Sequence, residues 1–149
     1  MALVSDFAVR GKVSEVKDAA VVFVPADTNY ALHLQTASPY TGPLQQTISA
    51  TIRAKAKKVY TVPSGGGFIS PLLGPPRTIQ GRALHVENGW VVIRAGVSVV
   101  VELPTADDAL DLQEGPIAVG SIINVVAEPG ATMAVVRVGT RKSRLFIKD

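Results

Sequence analysis

The densest run of chemically useful side chains in the sequence is Arg53-Ala-Lys-Ala-Lys-Lys58. Successive side chains of an extended strand point to opposite faces. Arg53, Lys55 and Lys57 would therefore share one face at intervals of about 7 Å, with Ile52, Ala54 and Ala56 on the other. Such a row suits the phosphates of a single-stranded nucleic acid. Lys58, Arg10 and Lys12 extend the set, as do Arg141, Lys142 and Arg144 near the C-terminus. Tyr60, Tyr30 and Trp90 offer aromatic faces on which bases stack. The same lysines have a competing use, because charge along a strand blunts edge-to-edge pairing, and runs such as Val97-Ser-Val-Val-Val101 need that protection.

Other chemistries are poorly supplied. The chain has no cysteine, which excludes disulfide frameworks, thiolate metal sites and thiol nucleophiles. Two histidines, His33 and His85, are too few for the usual zinc ligand sets without cysteine. Ser64-Gly-Gly-Gly67 has the glycine density of a phosphate cradle, but no G-x-x-x-x-G-K-[ST] or G-x-S-x-G accompanies it, so it reads as a turn. Asp107, Asp108, Asp111 and Glu114 lack the order of a calcium loop and read as a solvated acidic connector. No nucleophile, base and stabilising donor converge. The expectation is a non-catalytic protein with no cofactor and no metal.

Net charge is +3, distributed unevenly: residues 1–70 carry seven Lys/Arg against four Asp/Glu, whereas residues 71–149 carry eight of each. A polyanion should therefore prefer the first half. The apolar content of 47% is ample for a core, and aromatics at 5% leave that core to Val, Ile, Leu and Ala, whose β-branched members favour sheet. No stretch of about 20 apolar residues is present, since Arg94 and Glu102 interrupt the best candidate, and no secretory leader is legible at the N-terminus. A cytoplasmic protein that spans no membrane is expected.

The elements that must position these residues are strands, and they occur twice. Residues 8–24, from Ala8 to Val24, lie without a gap over residues 78–94, so that Gly11 meets Gly81, Val16 meets Val86, and Val21-Val22 meet Val91-Val92. After a slip of one residue, Tyr30-Ala-Leu-His-Leu34 lies over Val99-Val-Val-Glu-Leu103, which sets His33 against Glu102, while the gapless part sets Glu15 against His85. A His–carboxylate pair would result if the faces coincided; interchange of polar residues on solvent-facing positions explains the same pattern.

In each copy the reading is a strand (Phe7 to Val16, with Phe7, Val9, Gly11 and Val13 on one face), a tight turn, a second strand (Ala20 to Val24) and a third (Tyr30 to Leu34). Asn88-Gly89 is a strong type I′ hairpin signal and vouches for its counterpart at Lys17–Ala19. A variable connector follows, with room for a helical turn in 104–114. Then come strand four (Ile48 to Lys55; Ser121 to Ala127) and strand five (Val59 to Val62; Ala131 to Val138). Pro63 to Pro76 holds four of the ten prolines and forms the joint, and Leu145-Phe-Ile147 echoes Gly67-Phe-Ile69 as a short closing strand.

The expected fold is all-β: a duplicated small β-barrel with the strand order of an oligonucleotide/oligosaccharide-binding (OB) barrel, in two pseudo-equivalent copies, residues 1–66 and 67–149. One pseudo-symmetric barrel, an SH3-like barrel and a two-sheet sandwich share the same element order. Two functions are expected. The first is a non-catalytic module binding single-stranded nucleic acid through Arg53, Lys55, Lys57, Lys58, Arg10, Lys12 and Tyr60. The second is a self-associating scaffold, binding further copies or another protein through apolar strand faces.

Overall fold

A computed structural model of the chain describes residues 3–136. The protein is all-β. Its strands are β1 (Val9–Lys17), β2 (Ala20–Pro25), β3 (Ala31–Gln35), β4 (Thr47–Val62), β5 (Phe68–Ser70), β6 (Leu73–Gly74), β7 (Thr78–Glu87), β8 (Trp90–Arg94), β9 (Ser98–Glu102), β10 (Leu110–Asp111), β11 (Ile122–Ala127) and β12 (Thr132–Val135). Helical structure among the described residues consists of two short 3-10 segments, Val4–Phe7 and Asp107–Ala109, the second inside the connector where a turn is expected.

The sheet is organised around β4. Residues 47–62 contain no Gly, Pro, Asn or Asp, so nothing in the local sequence stops the strand. It runs unbroken through the stretch that the sequence divides into a fourth and a fifth strand. Along one edge β4 pairs with β1 (Thr47–Ala50, antiparallel), with β9 (Arg53–Lys55, parallel) and with β10. Along the other it pairs antiparallel with β12 (Ala50–Arg53) and with β11 (Ala56–Val62). The mixed sheet thus returns on itself along two circuits, β1-β2-β3-β12-β4 and β7-β8-β9-β4-β11. It is not a clean barrel. The pairing does not divide where the sequence repeat does, because β4 belongs to both circuits and β12, from the second half of the chain, joins the circuit of the first.

Equivalent irregularities occur in β1 and β7. The β1–β2 register shifts around Ser14 and the β7–β8 register around Leu84, 70 positions apart like Gly11 and Gly81. An extra residue there bends the strand. Gly11 lies under the Val24 carbonyl, to which an added Cβ would come within 2.6 Å, and Gly81 lies likewise under the Arg94 carbonyl. Neither glycine has positive φ, so each is required for space and not for conformation.

Three expectations need correction. Phe7 belongs to the 3-10 segment and not to β1; its ring packs against His85 and Trp90 of the other half. Neither hairpin is type I′, which needs positive φ at both central residues. At Asn88-Gly89 the glycine alone has it (φ 93), and at Asp18-Ala19 the aspartate alone (φ 55). The third concerns strand three. Val22 pairs with His33, and Val92 with Val100, so His33 corresponds to Val100, and Glu102 to Gln35. By these registers the connection into β9 is three residues shorter than the connection into β3, where the alignment allowed a slip of one, and this dissolves the expected His33–Glu102 equivalence.

One contiguous core fills both circuits, with Val13, Phe23, Leu34 and Ile52 in the first and Ile79, Ile93, Val101 and Ile123 in the second, all buried. The joint is ordered: β5 pairs with β7 and β6 with β3. Tyr30 fastens it from within. Its buried hydroxyl donates to the Ala95 carbonyl at 3.0 Å and accepts the Ile69 N–H at 3.0 Å. No helix of the described residues is long and apolar enough to cross a membrane.

Candidate nucleic-acid interface

Alternation along β4 places the cationic row as the sequence suggests. Arg53, Lys55 and Lys57 are exposed, and Ile52, Ala54 and Ala56 are buried. Lys58 is exposed as well, although it follows Lys57 directly. Ala56 pairs with Ala127 and Lys58 with Val126, so Lys57 is an extra residue and the alternation restarts after it. β4 is an interior strand, paired along both edges. Arg53 and Lys55, with partners on both sides, therefore blunt no open edge.

The row enters a concavity at one end. Arg53 and Lys55 line a cleft of about 710 Å³ built from both circuits, together with Trp90 and Glu102 from the second and Gln35 and Thr132 from the first. The register explains the convergence. Arg53 lies level with Val100 of β9 on one side and Thr132 of β12 on the other, and Lys55 lies level with Glu102. Trp90 faces Glu102 across the β8–β9 ladder, which puts the indole on the same outer face as the cations. That ring is half-buried and braced, 5.4 Å from His85 and 6.4 Å from Phe7. The Val4–Phe7 segment packs across β9 and β4, and Val4 forms one wall of the cleft. Val100 beneath this region is 2% exposed although it points away from the core, so the outer face of β9 is covered rather than open.

The remaining candidates separate. Arg10 and Lys12 are exposed on β1, level with Ser49 and Thr47 of β4. Ser49 is four residues from Arg53, about 13 Å along the strand, so these two cations are not brought to the cleft. Arg10 instead lines another recess with Arg94. Tyr60 is half-buried with the Lys58 ammonium 5.6 Å from its ring centroid, and it borders a small hollow shared with Asp111 and Glu114. Acid beside that ring makes it a poor seat for a phosphodiester. Tyr30, with its ring buried and its hydroxyl engaged, is no stacking platform. Arg141, Lys142, Arg144 and the closing strand expected at Leu145-Phe-Ile147 lie outside the described residues.

The histidines are not where the alignment sets them. His33 is exposed on β3, and His85 meets Glu87, two residues on, with Nε2 to Oε1 at 2.9 Å. Packed between Phe7 and Trp90, His85 serves to brace the aromatic cluster. No group of three or more His, Asp or Glu side chains able to hold a metal occurs among the described residues.

Sequence reasoning missed Glu102, Gln35 and Thr132 as cleft residues and gave Trp90 no location. The signal available for Trp90 was its place directly after Asn88-Gly89. A residue leaving a hairpin shares a face with the residue entering it, here Glu87. No protein family matches the chain, and no curated protein or solved structure shows detectable similarity to it.

Proposed function

We propose that the chain is a non-catalytic module that binds single-stranded nucleic acid, with phosphates on Arg53 and Lys55 and a base against Trp90. The observation that carries this reading is the convergence of two cations and an aromatic face in one cleft, on a stretch of strand where Arg53 and Lys55 have partners on both sides. Lys57 and Lys58 continue the row for a longer strand of nucleic acid. The architecture belongs to the same proposal. Each circuit is one copy of a five-stranded OB-like unit, and the copies have exchanged their last strands: the second half of β4 completes the second unit and β12 completes the first. The matched bulges at Ser14 and Leu84 and the matched close approaches at Gly11 and Gly81 support common ancestry of the units.

The test is a salt titration of a short single-stranded oligonucleotide followed by the emission of Trp90, the single tryptophan of the chain. Each neutralised phosphate contributes about 0.7 to the log–log slope, so Arg53, Lys55 and Lys57 together give a slope of about 2. Replacing all three with Gln should remove most of it, and Lys12→Gln should leave it unchanged. A second reading, self-association, rests on the joint, where Leu72 and Leu73 are 53% and 68% exposed. Under it, nucleic acid is not bound at physiological salt and sedimentation detects concentration-dependent association that Leu73→Ser abolishes. A protein that stays monomeric and whose triple-Gln variant binds nucleic acid as the parent does would overturn both.

A further inference from the structure

The second recess, of about 580 Å³, lies where β1 ends its pairing with β4 and β9 begins. Arg10 from β1 and Arg94 from β8 both line it, together with Thr47 and Ser98. Arg94 also stands directly opposite Arg82 in the β7–β8 ladder. Like charges directly opposite on one face of a sheet repel. Arg82 is held by the bond its Nη1 donates to the Gly120 carbonyl at 2.8 Å. Arg10 and Arg94 make no ion pair and no side-chain hydrogen bond among the described residues. Asp27 also lines the recess; it is exposed and pairs with neither. Two guanidinium groups from opposite halves of the chain, neither of them neutralised, thus outnumber the single carboxylate in the recess.

We infer that this recess binds a phosphate group, with the Arg10 and Arg94 guanidiniums donating to its oxygens and Thr47 and Ser98 completing the shell. Planar guanidinium forks match tetrahedral oxyanions geometrically, which a pair of ammonium groups would not. An anion there also relieves the Arg82–Arg94 opposition. The site is independent of the Trp90 cleft and stands whether or not that cleft binds nucleic acid. Its ligand is a free phosphate or the phosphate of a larger molecule, the chemistry being shared.

The experiment is thermal unfolding of the full chain in inorganic phosphate against chloride at equal ionic strength, with Arg94→Gln and Arg10→Gln variants alongside. Site binding should raise the midpoint by about 3 °C when phosphate is near ten times its Kd, saturating with concentration. Phosphate also stabilises proteins non-specifically, so the quantity read is the difference between parent and variant. Both variants should lose the saturable part, and Arg53→Gln/Lys55→Gln should keep it. A short oligonucleotide that abolishes the phosphate effect identifies a phosphodiester as the ligand; one that leaves it intact identifies a small anion. Equal phosphate responses in the parent and in Arg94→Gln would overturn the inference. Should Arg94→Gln prove unfolded, equal responses in the parent and in the surface variant Arg10→Gln overturn it just as directly.

Discussion

Adding a single methyl group at Gly11 is the sharpest probe of the architecture. A Cβ there would stand 2.6 Å from the Val24 carbonyl oxygen, 2.7 Å from the Phe23 ring and 2.8 Å from the Pro25 Cα. Two of these three neighbours are backbone, and Phe23 is fully buried in the core, so none of them can swing away. Relief requires β1 and β2 to separate at the bend. Overpacking of this kind costs about 1–3 kcal/mol, and a ladder hydrogen bond lost at the same place about 1 more. Without a clash, Gly→Ala would stabilise by about 0.4–1 kcal/mol by restricting the unfolded chain. The sign of the effect is therefore informative. Gly11→Ala should destabilise by roughly 2–4 kcal/mol, moving a urea midpoint down by about 1–2 M for a protein of this size. Gly81→Ala, facing the Arg94 carbonyl, should cost as much or more. The two sites share no neighbour, so the double variant should be additive. Gly66→Ala, with open space around its Cβ and no positive φ, is the internal control and should be neutral or slightly stabilising. A midpoint for Gly11→Ala equal to or above that of the parent would refute the close approach and the matched bends with it.

Two further outcomes are expected. Gly89→Val should destabilise by about 1 kcal/mol or more in equilibrium unfolding, for conformational reasons alone, since φ is 93 and nothing lies within 4 Å; Gly89→Asn should recover part of the loss. Tyr30→Phe removes the acceptor of the Ile69 N–H and the donor to the Ala95 carbonyl at a buried site, so it should cost about 1–3 kcal/mol and speed hydrogen exchange at Ile69.

Where the strands run was legible in the sequence because strand formation is written locally. Alternation placed Val9, Gly11 and Val13 inward, and Gly89 marked a turn whatever its type. The gapless match of 8–24 with 78–94 likewise carried through to matching bends, since a glycine forced by a crossing carbonyl leaves its mark at one position. The outward row of Arg53, Lys55 and Lys57 followed from period two alone.

What the sequence could not decide is which edge each strand takes. An edge offers the same N–H and C=O groups to any partner, so residues 59–62 and 132–135 read equally well as the last strand of their own half of the chain. Tertiary structure sends them across: β4 continues straight because nothing breaks it, and β12 fills the place left beside β3. That pairing brings Trp90, Glu102 and Thr132 around Arg53, and no local pattern could announce it, because the cleft exists only where the two circuits meet. The separation of Arg10 from the row has the same origin. It shares the row's charge, but β1 pairs with β4 four residues too early, and register along an edge is settled by the whole sheet.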